Sequence, residues 1–430
     1  MIVIGAGAAG LMAATSAASR GRRVLLLEKN RKLGVKILIS GGTRCNITHN
    51  CDNAGIIKAF GRNGRFLHSA LAALPPTDVI NMIEAAGVAT KVEETGKIFP
   101  VSDRAIDVRD ALVKMAVEAG ATIEPESPVD RIDQTDAGFT VHVAGDNGRT
   151  MNCRSLLVTT GGLSYPGCGT TGDGYAWAEQ FGHSIVKTVP ALVPLLNDQP
   201  WANDLKGITI ERMLVQLFEE PQAKNAVEDS DQNPDVATPK KKRKPKCLAN
   251  REGSFLFTHF GFSGPAPLDV SREVARHPDR KSLRLVCDFL PDVKEETLLS
   301  HLADKKSSEG RQQASGLLSD FFPRRLSDQL LNQAGIEPTT RNAELSKANL
   351  RRLTETVKRL AFEVNGTLGF EKAEVTSGGV NLKEVDSKTM QSKLQPNLFF
   401  AGEVLDLDGY IGGFNFQSAF STGWLAGQHV

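Results

Sequence analysis

Residues 2–10 read Ile2-Val3-Ile4-Gly5-Ala6-Gly7-Ala8-Ala9-Gly10, an apolar run followed by the spacing Gly-x-Gly-x-x-Gly. This predicts a β-strand that turns tightly into a helix. The second glycine lets the backbone approach a pyrophosphate, and the third lets the helix pack on the sheet. A second strand ends at Glu28, 18 residues beyond Gly10. A carboxylate there accepts hydrogen bonds from ribose hydroxyls and repels a 2′-phosphate. The segment therefore predicts a dinucleotide site for FAD or NAD rather than NADP.

The same glycine spacing recurs at Gly167, Gly169 and Gly172, but we reject it as a second dinucleotide motif. It follows Tyr165-Pro166 instead of a strand, and no acidic strand end lies about 20 residues further on. One nucleotide fold is therefore expected. A nicotinamide donor would then bind only transiently.

The far end of the chain supplies a second glycine-rich region. Asn397-Leu398-Phe399-Phe400-Ala401-Gly402-Glu403 predicts a buried strand that ends in Gly-acid, and a helix begins near Gly413. In two-part FAD folds such an acid accepts from the ribityl hydroxyls. The helix N-terminus there points at the flavin pyrimidine edge, where its dipole stabilises the charge of reduced flavin. This half favours FAD over NAD.

Composition bounds the remaining possibilities. A chain of 430 residues with 40% hydrophobic and 23% charged residues is an ordinary globular protein of two or three domains. The net charge of +1 gives no overall attraction to nucleic acid or to an anionic membrane. The six cysteines contain no Cys-x-x-Cys pair, so we expect neither a metal site nor a disulfide framework. With no long apolar run, we expect a cytoplasmic protein without a membrane partner.

The pattern of predicted strands and helices changes along the chain. Alternating strand and helix patterns give way to short strands separated by turns, then to helices, and then to an α/β pattern again. We predict an α/β fold with a two-piece FAD-binding Rossmann-like domain, an inserted β-barrel-like domain and a small helical domain. The expected bounds are 1–189 and 370–430 for the FAD domain, 190–294 for the barrel, with a mobile charged loop at 222–246, and 295–369 for the helices.

Six separated segments resemble the YhiN/BaiN-like family of FAD-dependent oxidoreductases, in the family's order and over nearly the whole chain. Thr43 stands where the family usually has a third glycine, and Phe414 where it often has tyrosine. The segments are Ser40-Gly41-Gly42-Thr43-Arg44-Cys45-Asn46, Thr160-Gly161-Gly162-Leu163-Ser164-Tyr165-Pro166, Thr171-Gly172-Asp173-Gly174-Tyr175, Leu256-Phe257-Thr258-His259-Phe260-Gly261-Phe262-Ser263-Gly264-Pro265, Val375-Thr376-Ser377-Gly378-Gly379-Val380, and Ala401-Gly402-Glu403-Val404-Leu405-Asp406 with Gly412-Gly413-Phe414-Asn415-Phe416-Gln417.

The resemblance implies a set of residues at or near FAD. They are Gly5, Gly7, Ala8, Ala9, Gly10, Glu28, Lys29, Gly41, Gly42, Arg44, Cys45, Asn46, Val129, Gly161, Gly402, Glu403, Gly413, Asn415 and Gln417. The same motifs add Lys36, Ser40, Thr160, Gly162, Asp406, Gly412 and Phe414 as cofactor-binding candidates. Lys36 and Arg44 flank a glycine loop with free backbone N–H groups, and this combination suits a pyrophosphate or the flavin O2/N1 edge.

Three residues are candidates for catalysis, and each has a structural alternative. Cys45 sits in the glycine loop and suits a proton donor, although buried cysteines usually act as small apolar residues. Asp173 lies between glycines near the flavin motifs, or caps a helix. His259 follows a strand and faces either the active site or the protein interior.

The resemblance implies an NADH- or NADPH-dependent reductase that passes hydride from flavin N5 to an electron-poor double bond. Family members reduce the uracil ring of ribosomal RNA to dihydrouridine, or unsaturated steroid acids, and an older amine-oxidase label exists. We favour ribosomal RNA because of two basic clusters, Lys240–Lys246 and Arg351–Arg359, although either is also typical of a solvated surface. A non-catalytic flavoprotein is the remaining alternative.

Overall fold

The computed structural model describes residues 1–145, 148–221 and 244–430. These residues form two compact units. The first consists of Met1–Leu192 and Gly369–Val430, and the second of Val193–Leu368. The predicted charged loop at 222–246 lies outside the described residues as far as residue 243, so it stays a prediction.

The strands alternate with helices in the first part of the chain and follow one another directly in the middle. In chain order the described strands are β1 (Ile2–Ile4), β2 (Leu25–Leu27), β3 (Thr48–His49), β4 (Thr90–Val92), β5 (Lys97–Pro100), β6 (Thr122–Glu124), β7 (Val129–Thr135), β8 (Gly138–Val143), β9 (Thr150–Cys153), β10 (Leu156–Val158), β11 (Ile185–Ala191), β12 (Leu195–Leu196), β13 (Thr209–Glu219), β14 (Lys246–Phe257), β15 (Gly261–Ser263), β16 (Leu283–Asp288), β17 (Leu360–Glu363), β18 (Gly366–Thr367), β19 (Val375–Val380) and β20 (Leu398–Phe400).

The helices are mostly short, and the longest is the last. In chain order the described helices are α1 (Ala8–Ala18), α2 (Val35–Thr43), α3 (Asn53–Ala59), α4 (His68–Ala73), α5 (Pro76–Ala85), α6 (Ala105–Glu118), α7 (Asp173–Gln180), α8 (Pro200–Asn203), α9 (Pro265–Arg276), α10 (Glu295–Ser308), α11 (Arg324–Gln333), α12 (Lys347–Arg359) and α13 (Phe414–His429). A 3₁₀ helix over Gly61–Leu67 connects α3 to α4.

The first unit is built on a parallel sheet with the strand order β20-β10-β1-β2-β6. β1 lies between β10 and β2, and β10 in turn pairs with β20 from the far end of the chain. β1, β10 and β20 are completely buried, as expected for a parallel sheet covered on both faces. The predicted α/β fold, with one sheet assembled from both ends of the chain, is confirmed.

Small residues let the first and last helices pack closely. A Cβ atom on Gly423 would lie 2.2 Å from the carbonyl oxygen of Ala9, and one on Gly427 would lie 2.6 Å from that of Ala13. The Ser16 hydroxyl donates a hydrogen bond to the Trp424 carbonyl at 2.9 Å. Since every residue of α1 is buried, this contact belongs to the core of the first unit.

Three smaller antiparallel sheets complete the first unit: β3-β5-β4, β7-β8-β9 and β11-β19. The β3-β5-β4 sheet lies against the start of α13, since α13 contacts β3. It thereby adds a wall beside the end of the fold that carries Gly412 and Gly413.

The second unit contains a seven-stranded sheet with the order β17-β16-β13-β14-β15-β12-β18. Its strands pair antiparallel. Buried and partly exposed residues alternate along β16, so one face of this sheet packs on the core. The helical pattern ends with α12 at Arg359, and β17 and β18 then join the two outer positions of the sheet. The expected bounds of the helical domain, 295–369, stay a prediction.

Two further properties apply to the described part of the chain. None of its helices combines the length and the apolar composition needed to cross a membrane. Nor do those residues bring three or more His, Cys, Asp or Glu side chains together in an arrangement that would hold a metal ion.

Candidate functional site

The glycine turn after β1 lies at the carboxyl edge of the parallel sheet, where α/β folds bind their ligands. Gly5 adopts φ +103°, and its N–H donates to the Leu27 carbonyl at 2.8 Å. A Cβ atom on Gly10 would lie 1.9 Å from the Gly5 carbonyl oxygen, so only glycine allows α1 to start here. Around Gly7 no atom lies within 4 Å of an added Cβ atom. The turn thus has closely packed protein on one side and open space on the other.

Glu28 follows β2 and holds this turn in place. Its carboxylate accepts hydrogen bonds from the backbone N–H groups of Ala6 and Asn30, each at 2.9 Å, and from the Asn30 side chain at 2.9 Å. A carboxylate has about four acceptor positions, so capacity remains for a ribose hydroxyl. The Glu28 carbonyl accepts from Ser127 N–H at 2.8 Å, and this places the segment leading to Val129 beside the same strand end.

Asp173 lies at the Glu28 end of the site. Lys29 Nζ is 2.6 Å from Asp173 Oδ2, and Thr171 Oγ1 donates to Asp173 Oδ1 at 2.9 Å. Asp173 is the first residue of α7, and its side chain makes no capping hydrogen bond. The ion pair holds the Asp173 carboxylate beside Lys29. The catalytic role predicted for Asp173 stays a prediction.

The rejected glycine set packs against the same corner. It begins in a 3₁₀ turn over Pro166–Cys168, and the Asn30 side chain donates to the Cys168 carbonyl at 3.1 Å. A Cβ atom on Gly169 would lie 2.5 Å from Asn30 Nδ2. These glycines therefore allow the turn to approach Asn30 closely.

The loop from Ser40 to Asn46 breaks α2. Gly41, Gly42, Thr43 and Cys45 all adopt the left-handed conformation, with φ between +55° and +69°. With its amide oriented to satisfy both neighbours, Asn46 donates to the Thr48 carbonyl at 3.1 Å and accepts from Gly413 N–H at 3.0 Å. The early loop is thereby joined to the start of α13.

Cys45 points into the protein and has no exposed surface. Burial raises the pKa of its thiol to about 12, although a hydrogen bond with Ser40 opposes this. The thiol therefore keeps its proton at neutral pH. No atom of Cys45 is open to a substrate in this arrangement, and its predicted role as a proton donor stays a prediction.

Arg44 is held by acidic residues. Its guanidinium lies 2.7 Å from Glu93 Oε1 and 3.3 Å from Asp103 Oδ1, and its central carbon lies 4.0 Å from the centre of the Phe99 ring. The cofactor-binding role predicted for Arg44 would require this cation to contact a ligand while it bridges these groups. That role stays a prediction.

Lys36 and Glu403 form an ion pair between the two ends of the chain, with 2.5 Å between Lys36 Nζ and Glu403 Oε2. Ser164 Oγ donates to Glu403 Oε1 at 2.6 Å, and Thr376 N–H donates to the same oxygen at 2.8 Å. Ser164 and Thr376 occur in the quoted motifs, but the sequence analysis did not single them out. The acid predicted to contact the ribityl chain is thus oriented by three protein donors.

Two buried polar atoms beside this pair have no hydrogen-bond partner among the described residues: the Thr160 hydroxyl and the Tyr175 phenol. A Cβ atom on Gly162 would lie 3.1 Å from the Tyr175 phenol oxygen, and one on Gly174 would lie 2.3 Å from Thr160 Oγ1. Burial first, and then Glu403 and Asp406, raise the pKa of Tyr175, so its phenol remains a donor. Unpartnered donors and the space around Gly7 fit a bound dinucleotide with polar edges.

The start of α13 is fixed by the residues predicted to lie near the flavin. Gly413 adopts φ +90°, and Phe414 stacks on His49 with ring centres 4.6 Å apart. Asn415 accepts from Gly409 N–H at 2.8 Å, and Gln417 accepts from Thr48 Oγ1 at 2.6 Å. Asn415 and Gln417 therefore hold neighbouring protein segments. A Cβ atom on Gly412 would lie 2.9 Å from the Phe414 ring, and one on Gly413 would lie 2.5 Å from the Thr48 carbonyl, so both glycines allow close packing here.

Residues 1–429 match the family described as HI0933-like protein Rossmann domain. The chain belongs to this family. It is 34% identical over 429 residues to "Ribosomal RNA dihydrouridine synthase" of Escherichia coli (strain K12), covering 100% of this chain and 97% of that protein. The Haemophilus influenzae protein of the same name is 32% identical, covering 98% and 96%. "3-dehydro-bile acid delta(4,6)-reductase" of Clostridium scindens is 28% identical, covering 99% and 97%. The chain is a flavoprotein oxidoreductase of this family.

In this HI0933-like protein, the remaining candidates from the sequence are distributed over both units. His259 is an exposed residue of the second unit, and its ring packs on Phe260 at 4.9 Å. Gly402 and Gly161 adopt positive φ at the carboxyl ends of β20 and β10. Asp406 is buried and accepts from Asn63 Nδ2 at 3.1 Å. Asn63 carries no motif signal in the sequence.

The two basic clusters of this HI0933-like protein have different outcomes. Lys240–Arg243 lie outside the described residues. In the Arg351–Arg359 cluster, Arg359 pairs with Glu295 at 2.7 Å, Lys358 pairs with Asp288 at 2.6 Å, and Arg352 donates to the Ala334 carbonyl at 3.2 Å. Most of these cations therefore already neutralise or bind protein groups. The RNA-binding role predicted for the cluster stays a prediction.

Proposed function

We propose that this protein is an FAD-dependent reductase that takes electrons from NADH or NADPH and reduces a uridine of ribosomal RNA to dihydrouridine. The observation that carries the proposal is the end-to-end match to the Escherichia coli ribosomal RNA dihydrouridine synthase, at 34% identity over 429 residues. The match covers 100% of this chain and 97% of that protein.

The residues of the site support the cofactor. Glu28 would accept from a ribose hydroxyl, and the backbone around Gly7 would approach the pyrophosphate. Thr160 and Tyr175 would donate to polar edges of the ligand, which gives partners to their buried and unpartnered oxygens. When bound, FAD supplies hydride transfer between a nicotinamide and an electron-poor carbon. The N-terminus of α13 would stabilise negative charge that develops on the flavin through its helix dipole.

The Lys36–Glu403 pair gives the site a polar group whose geometry is fixed. Glu403 is held on one oxygen by Lys36 and on the other by Ser164 and Thr376. Three donors hold the carboxylate in one direction, so it would act as an acceptor for a hydroxyl of the ligand. The proton for the substrate would come from another group. Within this cluster the Tyr175 phenol holds a proton, but its oxygen is buried like the Cys45 thiol, so it would donate only if the residues that cover it moved aside.

A second candidate function is the reduction of a small unsaturated molecule of the steroid-acid class. It is favoured by the match to the Clostridium scindens bile-acid reductase, which is also end to end but at 28% identity. Both activities add hydrogen across a double bond, so one arrangement of cofactor and proton donor serves either. The choice between them depends on what binds beside the flavin.

Anaerobic half-reactions test the proposal. The purified flavoprotein is first reduced with NADH or NADPH and then mixed with ribosomal RNA lacking dihydrouridine, with an unsaturated 3-oxo steroid acid, or with buffer. We expect the nicotinamide to bleach the flavin absorbance and RNA to restore it, with dihydrouridine detected by mass spectrometry of the digested RNA.

The alternatives give different results in the same experiment. Restoration by the steroid alone would replace RNA as the substrate. Bleaching by an amine without a nicotinamide, with peroxide formed in air, would indicate an amine oxidase. No bleaching by any donor would indicate a non-catalytic flavoprotein and would overturn the proposal.

A further inference from the structure

Four basic side chains, Lys58, Arg62, Arg65 and His68, lie exposed on the first unit. We call them the basic ridge. The sequence from Asn53 to Thr77 contains no acidic residue, so the ridge has no opposite charge within its own segment. The ridge gives no signal in the sequence, because its basic residues are spaced apart and not clustered in a run.

The backbone aligns the ridge. Arg62 and Arg65 belong to the 3₁₀ helix Gly61–Leu67, and His68 is the next residue at the same spacing. A 3₁₀ helix has three residues per turn, so side chains three residues apart lie above one another on the same edge. Arg62, Arg65 and His68 therefore form a line instead of pointing in different directions. Lys58 extends the ridge from the last turn of α3.

The ridge differs from the α12 cluster in its partners. Within the described residues, no ion pair or side-chain hydrogen bond reaches Lys58, Arg62, Arg65 or His68. Arg359 and Lys358 of α12 instead pair with Glu295 and Asp288. Exposed cations without a protein partner are the ones available to neutralise an external polyanion.

The ridge stands on a framework joined to the candidate site. A Cβ atom on Gly64 would lie 2.0 Å from the Ile57 carbonyl oxygen, so the 3₁₀ helix packs directly on α3. Asn63, between the two ridge arginines, donates to the Asp406 carbonyl at 2.8 Å. At the end of α4, the Leu74 carbonyl accepts from Gln417 Nε2 at 3.1 Å and from Ser421 Oγ at 2.7 Å. The ridge is thus attached to the 406–409 loop and to α13.

We propose that the basic ridge binds the phosphate backbone of the RNA substrate and so positions the strand beside the site. This inference rests on the proposed function, because it assigns that site a nucleic-acid substrate. Phosphate contacts of this kind fix position and register without reading sequence. The ridge therefore explains how a protein with a net charge of only +1 would hold RNA.

The test compares two double variants that each remove two exposed cations. R62Q/R65Q removes the centre of the ridge, and R104Q/K114Q removes two exposed cations at the start of α6 and within it. Binding to a fluorescent single-stranded oligouridine of 40 nucleotides is measured by anisotropy between 50 and 200 mM salt. For R62Q/R65Q we expect about tenfold weaker binding at the low-salt end and a salt slope smaller by about 1.4, since each phosphate contact to a single strand contributes roughly 0.7. R104Q/K114Q removes cations that already pair with Asp107 and Glu118, so it should bind like the wild type.

Further measurements separate the possible causes. The thermal midpoint and FAD content of both variants should equal those of the wild type, and R62K/R65K should keep most of the RNA affinity. Wild-type affinity in R62Q/R65Q, or an equal loss in R104Q/K114Q, overturns the ridge proposal. Weaker flavin reduction by NADPH with unchanged RNA binding would instead assign the ridge to the phosphates of the dinucleotide donor, and it also overturns the proposal.

Failure of the ridge and failure of the proposed function are distinguishable. If RNA does not reoxidise the reduced wild-type flavin, the proposed substrate is wrong, whatever the variants show. If RNA does reoxidise the wild-type flavin but R62Q/R65Q binds RNA with an unchanged salt slope, the function stands and the ridge proposal is wrong.

Discussion

The turn at Gly5–Gly10 and the loop at Ser40–Asn46 are both rich in glycine, but for different physical reasons. In the turn, Gly10 is required by contact, because a Cβ atom would lie 1.9 Å from a backbone oxygen. In the loop, Gly42 is constrained by torsion alone, since it adopts φ +68° and no atom lies within 4 Å of an added Cβ atom, whereas a Cβ atom on Gly41 would lie 2.9 Å from Asn46 N. Contact excludes every side chain, whereas torsion only makes one costly.

The difference appears in the residues that each segment accepts. The loop carries Thr43 and Cys45 at φ +69° and +63°, so it already tolerates side chains in the left-handed region. The turn has alanine at Ala6, Ala8 and Ala9, and glycine only at the motif positions. Substitutions in the two segments should therefore change the stability of the protein for different physical reasons.

The largest expected effect is that of Gly10→Ala. The added methyl group would force α1 away from the Gly5 carbonyl and from Thr159 Oγ1, which lies 2.7 Å from the Cβ position. We expect a loss of about 3 kcal/mol in the free energy of unfolding. Urea denaturation of the apoprotein measures it. An unchanged midpoint would show that the turn relaxes easily and is not fixed by contact.

Gly7→Ala should have a different effect. Gly7 has φ −81°, and the space around it is open, so the free energy of unfolding of the apoprotein should stay within about 0.5 kcal/mol of the wild type. The methyl group would occupy the path of the pyrophosphate. FAD affinity should fall at least about tenfold, or about 1.4 kcal/mol, by calorimetric titration. Wild-type FAD affinity in this variant would show that the pyrophosphate does not bind at this turn.

Thr43→Gly should stabilise the protein. A β-branched residue in the left-handed region costs roughly 1–2 kcal/mol, and glycine recovers part of that at an entropic cost. We expect a net gain of about 0.5–1 kcal/mol in the free energy of unfolding. Thr150→Gly in β9 is the matched control and should lose stability. A loss in both variants would show that Thr43 contributes a contact outweighing its torsional strain.

The smallest expected effect is at Cys45, whose thiol should not react with an alkylating reagent in the folded protein. Burial raises the pKa of its thiol to about 12, so at pH 8 the thiolate is a minute fraction and the sulfur is covered. Alkylation followed by peptide mapping should label the exposed Cys247 quickly and Cys45 only after unfolding. Because the pKa is raised, labelling should increase only as pH approaches 12. Equal labelling at pH 8 would mean that the loop opens in solution and would favour the role of Cys45 as a proton donor.

Local patterns predicted the fold well where the physics is local. The apolar strand, its glycines and Glu28 follow one another within the first 28 residues, and the structure has them as expected. The buried run at Leu398–Phe400 predicted a strand of the same sheet, which pairs with β10. The sequence carries no signal for β17 and β18, because a short strand after a long helix has too few residues to show a period.

The partners of the charged candidates were beyond sequence reasoning. Lys36 and Glu403 are 367 positions apart, and Arg44 and Glu93 are 49 apart, so no spacing rule connects them. Only the three-dimensional structure shows that the Gln417 side chain hydrogen-bonds to Thr48 Oγ1 and to the Leu74 carbonyl, or that Thr160 and Tyr175 are buried close together. A motif identifies a residue, but its partner is set by tertiary contacts.

The close packing of α1 against α13 also determines which part of the protein can complete its fold first during synthesis. During synthesis, the strand at Ile2–Ile4 leaves the ribosome long before Leu398–Phe400 and α13, which complete its sheet and cover its helix. Residues 193–368 contain all the strands of their own sheet, so they would be able to fold while the earlier segment still waits. The cofactor unit should therefore close last, and FAD should bind tightly only after residues 398–429 have left the ribosome.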